Sequence, residues 1–388
     1  MSSAPFCQKS RALVWTLAIL AAALVAAGLS SCTSGVELIV SASSPQLKQE
    51  IVTLAADYQR TKGFRITPAD KPSSPRGTAV TIGWSFAEAR GEAGLRTIPA
   101  AQLQEAGFST ALAFQRWAHG DTGWKEVPIL WDAWGVVSSR DAHRPVGAAG
   151  TFGWKDRSAF IKAGQGILLP GGESGVRQAL FWFTDAQFPQ EGAVSGILLG
   201  GAERSGPAGL AYFRSLAALG RDPVFQPGAF NLMKPDVENQ ARTTGVNLLF
   251  GSYQWLRGIP GGAGRDFRAL VYPFPQGYVM PVSMLSGRVT GSDAAAARAQ
   301  EFLLWLLSPA NQKALSNASG YMAANFNAAN LDPNALEARN AAVGAARVVL
   351  IDPEPGKGTA SESWDSLLGR ILARPMEWER VLAEKENQ

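Results

Sequence analysis

The sequence predicts an α/β fold built as two lobes, on three observations. The chain has 388 residues, and a single core rarely grows past roughly 250–300 residues, so its apolar side chains are expected to divide between two cores. Its opening reads strand, polar loop, helix, which is the first unit of an α/β domain. Residues 127–137, VPILWDAWGVV, form the near-continuous apolar run of a strand buried on both faces. The 41 glycines and 23 prolines imply many turns and argue against a helical bundle.

Taken in order, residues 36–40, VELIV, are a β-branched run and the first expected strand. Ser44 and Pro45 then fit the N-cap and first position of a helix, and Leu47, Ile51, Leu54, Ala55 and Tyr58 recur behind them at helical spacing. Further strands are expected over 64–67, 78–82 and 127–137, with a short one at 167–169. Helices are expected over 176–183 and 209–219, and strands over 267–274 and 278–284. A helix from about 292 to 307 leads through Ser308-Pro309 into a second that ends near Gly320. Trp364, Leu367, Leu368, Ile371 and Leu372 predict a tail helix. Pro375 breaks it before a polar last helix.

The first thirty-odd residues read as an export leader rather than as fold. Lys9 and Arg11 precede the uncharged apolar run 12–28, which is short against the ~20 residues of a membrane span. The run ends in Leu29-Ser-Ser-Cys32, which has the form of a bacterial lipobox, with Cys32 the lipidated residue after cleavage at 1–31. An ordinary signal peptide with a chance cysteine, or a retained anchor helix, is the plainer alternative. The only other cysteine, Cys7, leaves with the leader, so no disulfide is expected. The formal net charge is +4, and Lys9 and Arg11 also leave with the leader. With no run of Lys or Arg in the chain, nucleic-acid binding has no electrostatic footprint.

Several residues are candidates for a binding site. In an open α/β sheet, loops at the C-terminal ends of strands line the ligand crevice. This singles out Ser43 and Ser44 after the first strand, and Glu173 and Ser174 in PGGESG at 170–175. Helix capping is the plain reading for each. The 12 tryptophans mostly supply core area, but Trp84 and Trp255 fall at element ends, where loops reach a cleft. In a strand, Asp132 and Trp134 share a face and Trp131 takes the other. A buried Asp132 needs a donor, which protein groups or a solute hydroxyl could supply.

Catalytic motifs are weak. His119 and His143 lack partners at zinc spacing. GESGV at 172–176 is not a nucleophile elbow. GKGT at 356–359 lacks the upstream glycine of a phosphate-binding loop.

The lipobox, the strand VPILWDAWGVV, GVNLLFGSYQW at 245–255 and the helix pair EFLLWLLSPANQKALSNASGYMAAN resemble the extracellular solute-binding proteins of ABC importers, in their maltose-binding-like branch. TIGWSFAEAR at 81–90 departs from that pattern. The resemblance implies a two-lobe periplasmic-binding-protein-like fold with several interlobe crossings. One lobe would comprise 36–131 plus 281–320, the other 132–280 plus 321–388. It implies capture of a small solute, a sugar above all, for ABC permease subunits by a lipid-anchored extracytoplasmic monomer that uses no cofactor and no metal and performs no covalent step. It places Asp132 and Trp134 at the hinge edge of the cleft, Trp255 at the ligand, and Tyr253 and Tyr278 on the second lobe's side. A lipoprotein that binds a protein partner and a lipid-anchored hydrolase stand as alternatives.

Overall fold

The computed structural model describes residues 36–41, 44–70, 77–85, 94–111, 114, 123–138, 152–153, 166–181, 206–244, 248–259, 266–274, 277–291, 294–328, 333–353 and 360–386. The leader, Cys32 and Ser43 lie outside them. No helix among the described residues is long and apolar enough to cross a membrane.

The chain opens as its sequence implies. Strand β1 (Val36–Ser41) leads into α1 (Pro45–Lys62). Ser44 caps that helix by accepting from Leu47 N at 3.3 Å, and Gly63 closes it in the left-handed region at φ 68°, where glycine carries no Cβ penalty. Strands β2 (Ile66–Ala69) and β3 (Ala79–Trp84) lie parallel to β1 on either side. The minor pair β4 (Ile98–Pro99) and β5 (Gly123–Trp124) flanks α2 (Ala100–Glu105).

Two long strands organise the rest. The first is β6 (Val127–Ser138). After β7 (Phe152–Gly153) come helices α3 (Ser174–Phe181), α4 (Pro207–Leu219) and α5 (Lys234–Thr244). Strand β8 (Leu248–Ser252) runs directly into the short helix α6 (Tyr253–Gly258). Strand β9 (Asp266–Phe274) precedes the second long strand, β10 (Gly277–Thr290). The helix pair α7 (Ala294–Leu306) and α8 (Pro309–Ser319) is followed by β11 (Met322–Ala323), α9 (Pro333–Gly344) and β12 (Arg347–Leu350). Helix α10 (Ala360–Ala373) ends at Pro375, and α11 (Trp378–Glu386) completes the tail.

Strand β6 changes partners halfway. Its first half, 127–132, pairs antiparallel with β10, and its second half, 134–138, pairs with β8 and β9 on either side. Strand β10 also passes from one neighbourhood to another. It pairs with β9 and β12 at its start and with β6 and β3 at its end. The sequence pattern stops this strand at Met284. The structure carries it to Thr290, because Leu285 and Val289 are still fully buried against β3 and Arg288 is paired with Glu126 at 3.1 Å.

Two apolar clusters result. The larger joins α1, β1 and β3 to α7, α8 and the first half of β6, and continues to α6 and α9. The smaller gathers Trp134 and Val136 with α3, α4, α10 and α11. Residues 167–169 are fully buried as expected, but they make only isolated bridges, Ile167 to Phe225 and Leu168 to Leu249, rather than a strand. Helices α5 and α9 had no place in the sequence reading. Among described residues α5 buries only Val237 and Ala241, and α9 buries Ala335, Ala338, Ala341 and Ala342 while Leu336 and Val343 on its other side are exposed, so neither shows a clear stripe in its sequence.

Gly135 sits where β6 meets β9. A Cβ there would collide with the carbonyl oxygen of Arg268 and the ring of Phe267. Gly135→Ala is expected to lower stability by roughly 1–3 kcal/mol through overpacking, measured as a lower urea midpoint with unchanged slope.

Candidate functional site

The partner change in β6 opens a cleft of about 340 Å³ at Asp132, Trp134 and Ser283. Asp132 stands opposite Ser283 in the β6–β10 register, and Trp134 Nε1 donates to Ser283 Oγ at 3.1 Å. Around these, Ser44 at the start of α1, Trp84 at the end of β3 and Tyr321 after α8 line one part of the cleft. Glu173, Gly175 and Val176 of the α3 entry, Lys234 of α5 and Pro353 line another. Ser252, Gln254 and Trp255, at the β8–α6 junction, complete it.

The loop carrying Glu173 is held from behind. Arg177 of α3 forms a two-point ion pair with Asp365 of α10, with Nε to Oδ1 at 3.0 Å, while its Nη1 donates to the carbonyl oxygens of Gly171 and Gly172. A planar guanidinium suits this fork geometry. In front, Glu173 Oε1 accepts from Lys234 N at 3.3 Å, which ties the loop to α5. Ser174 does not line the cleft; its hydroxyl accepts from Gln178 Nε2 at 3.0 Å.

The aromatic side chains have distinct environments. Trp134 is buried and its ring lies against Gly175 with no room for a Cβ. Trp255 donates to Glu238 Oε1 at 2.7 Å. Trp84 is half-buried and meets Tyr321 edge to face at 5.4 Å; its indole nitrogen has no protein acceptor among the described residues. Trp131, on the opposite face of β6, is core: its Nε1 donates to Ala323 O at 3.1 Å and its ring meets Phe114 at 5.1 Å.

Asp132 is the electrostatic centre. Complete burial pushes its carboxyl up to about 7. Hydrogen bonds from Gln254 N, at 3.0 Å, and from the Ser252 hydroxyl pull the other way, as does the charge of Lys234. Between the ordinary carboxylate value and about 7 the folded chain therefore holds a proton that the unfolded chain has lost. This group's contribution to stability is present below that window, declines as pH rises through it and levels off above it.

The structure brings Ser44, Trp84, Asp132, Trp134, Glu173 and Trp255 to one cleft. It does not bring Tyr253 or Tyr278 there. Tyr253 is buried, with its ring against Phe267 at 5.2 Å, because residues 253–258 are helical and turn it away from the side Trp255 occupies. Tyr278 is exposed at the first residues of β10, opposite Pro273. The sequence reading missed Lys234, Ser252, Gln254, Ser283 and Tyr321. Pro235 and Asp236 behind Lys234 are a helix-start signal, and Tyr321 follows the glycine that ends α8. Those two positions were the findable ones. No group of three or more metal-ligating side chains occurs among the described residues.

No protein-family model matches the chain, and no curated protein matches it in sequence. Solved structures do match. The bacterial solute receptor AcbH, described as having an exclusive preference for β-D-galactopyranose, superposes with a TM-score of 0.66 at 13% identity, over 91% of this chain and 98% of that one. The maltose-maltodextrin binding protein of Alicyclobacillus acidocaldarius gives 0.59 at 11% identity, over 91% and 100%. A protein described in connection with xylan utilization by Caldanaerobius polysaccharolyticus gives 0.61 at 11% identity, over 91% and 99%. With coverage this complete, the chain has the two-lobe α/β fold of the periplasmic solute-binding proteins.

Proposed function

We propose that the protein is an extracytoplasmic receptor, anchored by lipid at Cys32, that captures a small carbohydrate and delivers it to the membrane subunits of an ABC importer. The observation that carries this reading is the composition of the cleft at the crossing strands. Trp84, Trp255 and Tyr321 offer aromatic carbon, and Asp132, Glu173, Lys234, Ser252 and Gln254 offer hydrogen-bonding groups beside it. A sugar ring has the matching surface, apolar C–H faces edged by hydroxyls. Both the carboxylates and the lysine suit hydroxyls, which donate as well as accept. The neighbours' described ligands, galactopyranose and maltodextrin, agree in class.

In this reading residues 36–131 and 281–320 form one lobe and 132–280 and 321–388 the other. Solute contacts made to both lobes favour the closed arrangement, and closure signals occupancy to the permease. Asp132, at the β6–β10 crossing, accepts from solute hydroxyls, and Trp255 carries the ring. No covalent step and no cofactor enter.

A thermal-shift screen of the purified protein with galactose, maltose, xylobiose, spermidine and glutamate tests the solute class. A sugar is expected to raise the melting temperature, by roughly 2.7 kcal/mol of stabilisation at about a hundredfold excess over its Kd. A response to spermidine or glutamate alone would sink the carbohydrate reading. For a sugar that binds, Trp255→Ala is expected to weaken affinity by roughly tens-fold while the protein stays folded. The pH dependence follows from Asp132. Hydroxyls donating to its carboxylate favour the ionised form, so affinity rises from about pH 5 to about pH 8. Asp132→Asn is expected to flatten that profile in calorimetry, and to remove the matching decline in unliganded stability.

A further inference from the structure

Trp255 stands at the cleft wall, and two features hold its ring in one orientation. Its Nε1 donates to Glu238 Oε1 at 2.7 Å, a hydrogen bond to a carboxylate and so of the stronger kind. On the other side, Gly251 presents bare backbone to the six-membered ring. A Cβ on Gly251 would run into Cε3 and Cζ3. Trp255 is only 8% exposed, and it lines the cleft. Its one polar atom is already in use, so a solute meets carbon alone.

Glu238 does not itself line the cleft. It stands on α5 four residues after Lys234, so the two share one face of that helix. One of them reaches the cleft beside Asp132, and the other holds the indole by its N–H edge. Helix α5 is in turn tied to the Glu173 loop through Lys234 N. The orientation of Trp255 is thus coupled to the segment that supplies the cleft's charged groups.

We propose that Glu238 is a positioning residue, which fixes the plane of Trp255 as a carbon platform for the face of a sugar ring. This rests on the carbohydrate reading. A ring fixed in place before binding loses no rotamer freedom when the solute arrives, and preorganisation of that kind appears directly in affinity. A Glu238 that only satisfied a core indole would affect stability and leave the affinity of the folded protein alone.

The test compares the full-length protein with Glu238→Ala and Glu238→Gln, whose amide oxygen still accepts from Nε1. Affinities for galactose, maltose and xylobiose are measured by calorimetry, and near-ultraviolet circular dichroism of the unliganded proteins reports how firmly the indole is held. Glu238→Ala is expected to lose about tenfold in affinity for the sugar that binds and part of the tryptophan band. Glu238→Gln is expected to recover most of both. Equal affinity in wild type and Glu238→Ala, or an unchanged band in Glu238→Ala, would overturn the inference and leave the carbohydrate reading intact. An equal loss in the two variants would also overturn it, since the acceptor would then not be what matters. Silence of the wild-type protein toward all three sugars would instead remove the carbohydrate reading, and the platform with it.

Discussion

Everything in this structure depends on how β6 changes partners at Asp132–Trp134. Before that point its backbone is paired with β10, and after it with β8 and β9. A strand in the interior has both edges occupied, so side chains are the only way to bring polar chemistry to its middle. At the change of partners the neighbouring strands part, and a cleft can open without leaving the backbone unpaired. Asp132 occupies that gap. An isolated carboxylate there would be costly, and donors from the next junction, Gln254 N and the Ser252 hydroxyl, offset part of that cost, though burial still raises its pKa. The crossing that joins the two apolar clusters is therefore also the place where a titratable group is buried.

The tryptophans follow from the same geometry. Trp131 and Trp134 flank Asp132 on opposite sides of the chain path, and each has its N–H satisfied, by Ala323 O and by Ser283 Oγ. Their areas go mainly to the larger and the smaller cluster respectively. Trp255, from the β8–α6 junction, and Trp84, from the end of β3, reach the cleft from elements that pair with β6 and β10 at that level. Each has a neighbour that restrains it, Tyr321 for Trp84 and Glu238 for Trp255. The site is thus a meeting of strand ends around one crossing, rather than a motif in any one stretch.

That explains what was legible in the sequence. The strands β1, β3, β6 and β9 and the helices α1, α7, α8 and α10 announce themselves, because each buries one face or both and carries the corresponding period. Asp132 was visible because a lone charge interrupts an apolar run. Trp84 and Trp255 were visible because they stand at element ends, and Glu173 because it follows the expected strand at 167–169. Lys234 and Tyr321 stand at a helix start and just after a helix end, so their positions can be found, but nothing in those helices' own pattern marks a cleft. Ser283 is a small residue inside a buried strand, and only the register that sets it opposite Asp132 gives it a role. Tyr253 was misread for a local reason. The resemblance sets Tyr253 and Trp255 together, but the chain turns helical at Tyr253, which puts their side chains on different sides of α6.

An identity of 11–13% with matching structures over nine-tenths of the chain has the same physical basis. What the fold needs is alternation in a few strands, amphipathic helices and room at close approaches such as Gly135. Many side chains satisfy those needs. The cleft groups are tied to one another more directly. Lys234 lowers the cost of ionising Asp132, and the Glu173 carboxylate accepts from the backbone nitrogen of that same Lys234. Neutralising any one of the three changes the field at the other two. Sequence comparison therefore loses this chain while its architecture stays recognisable.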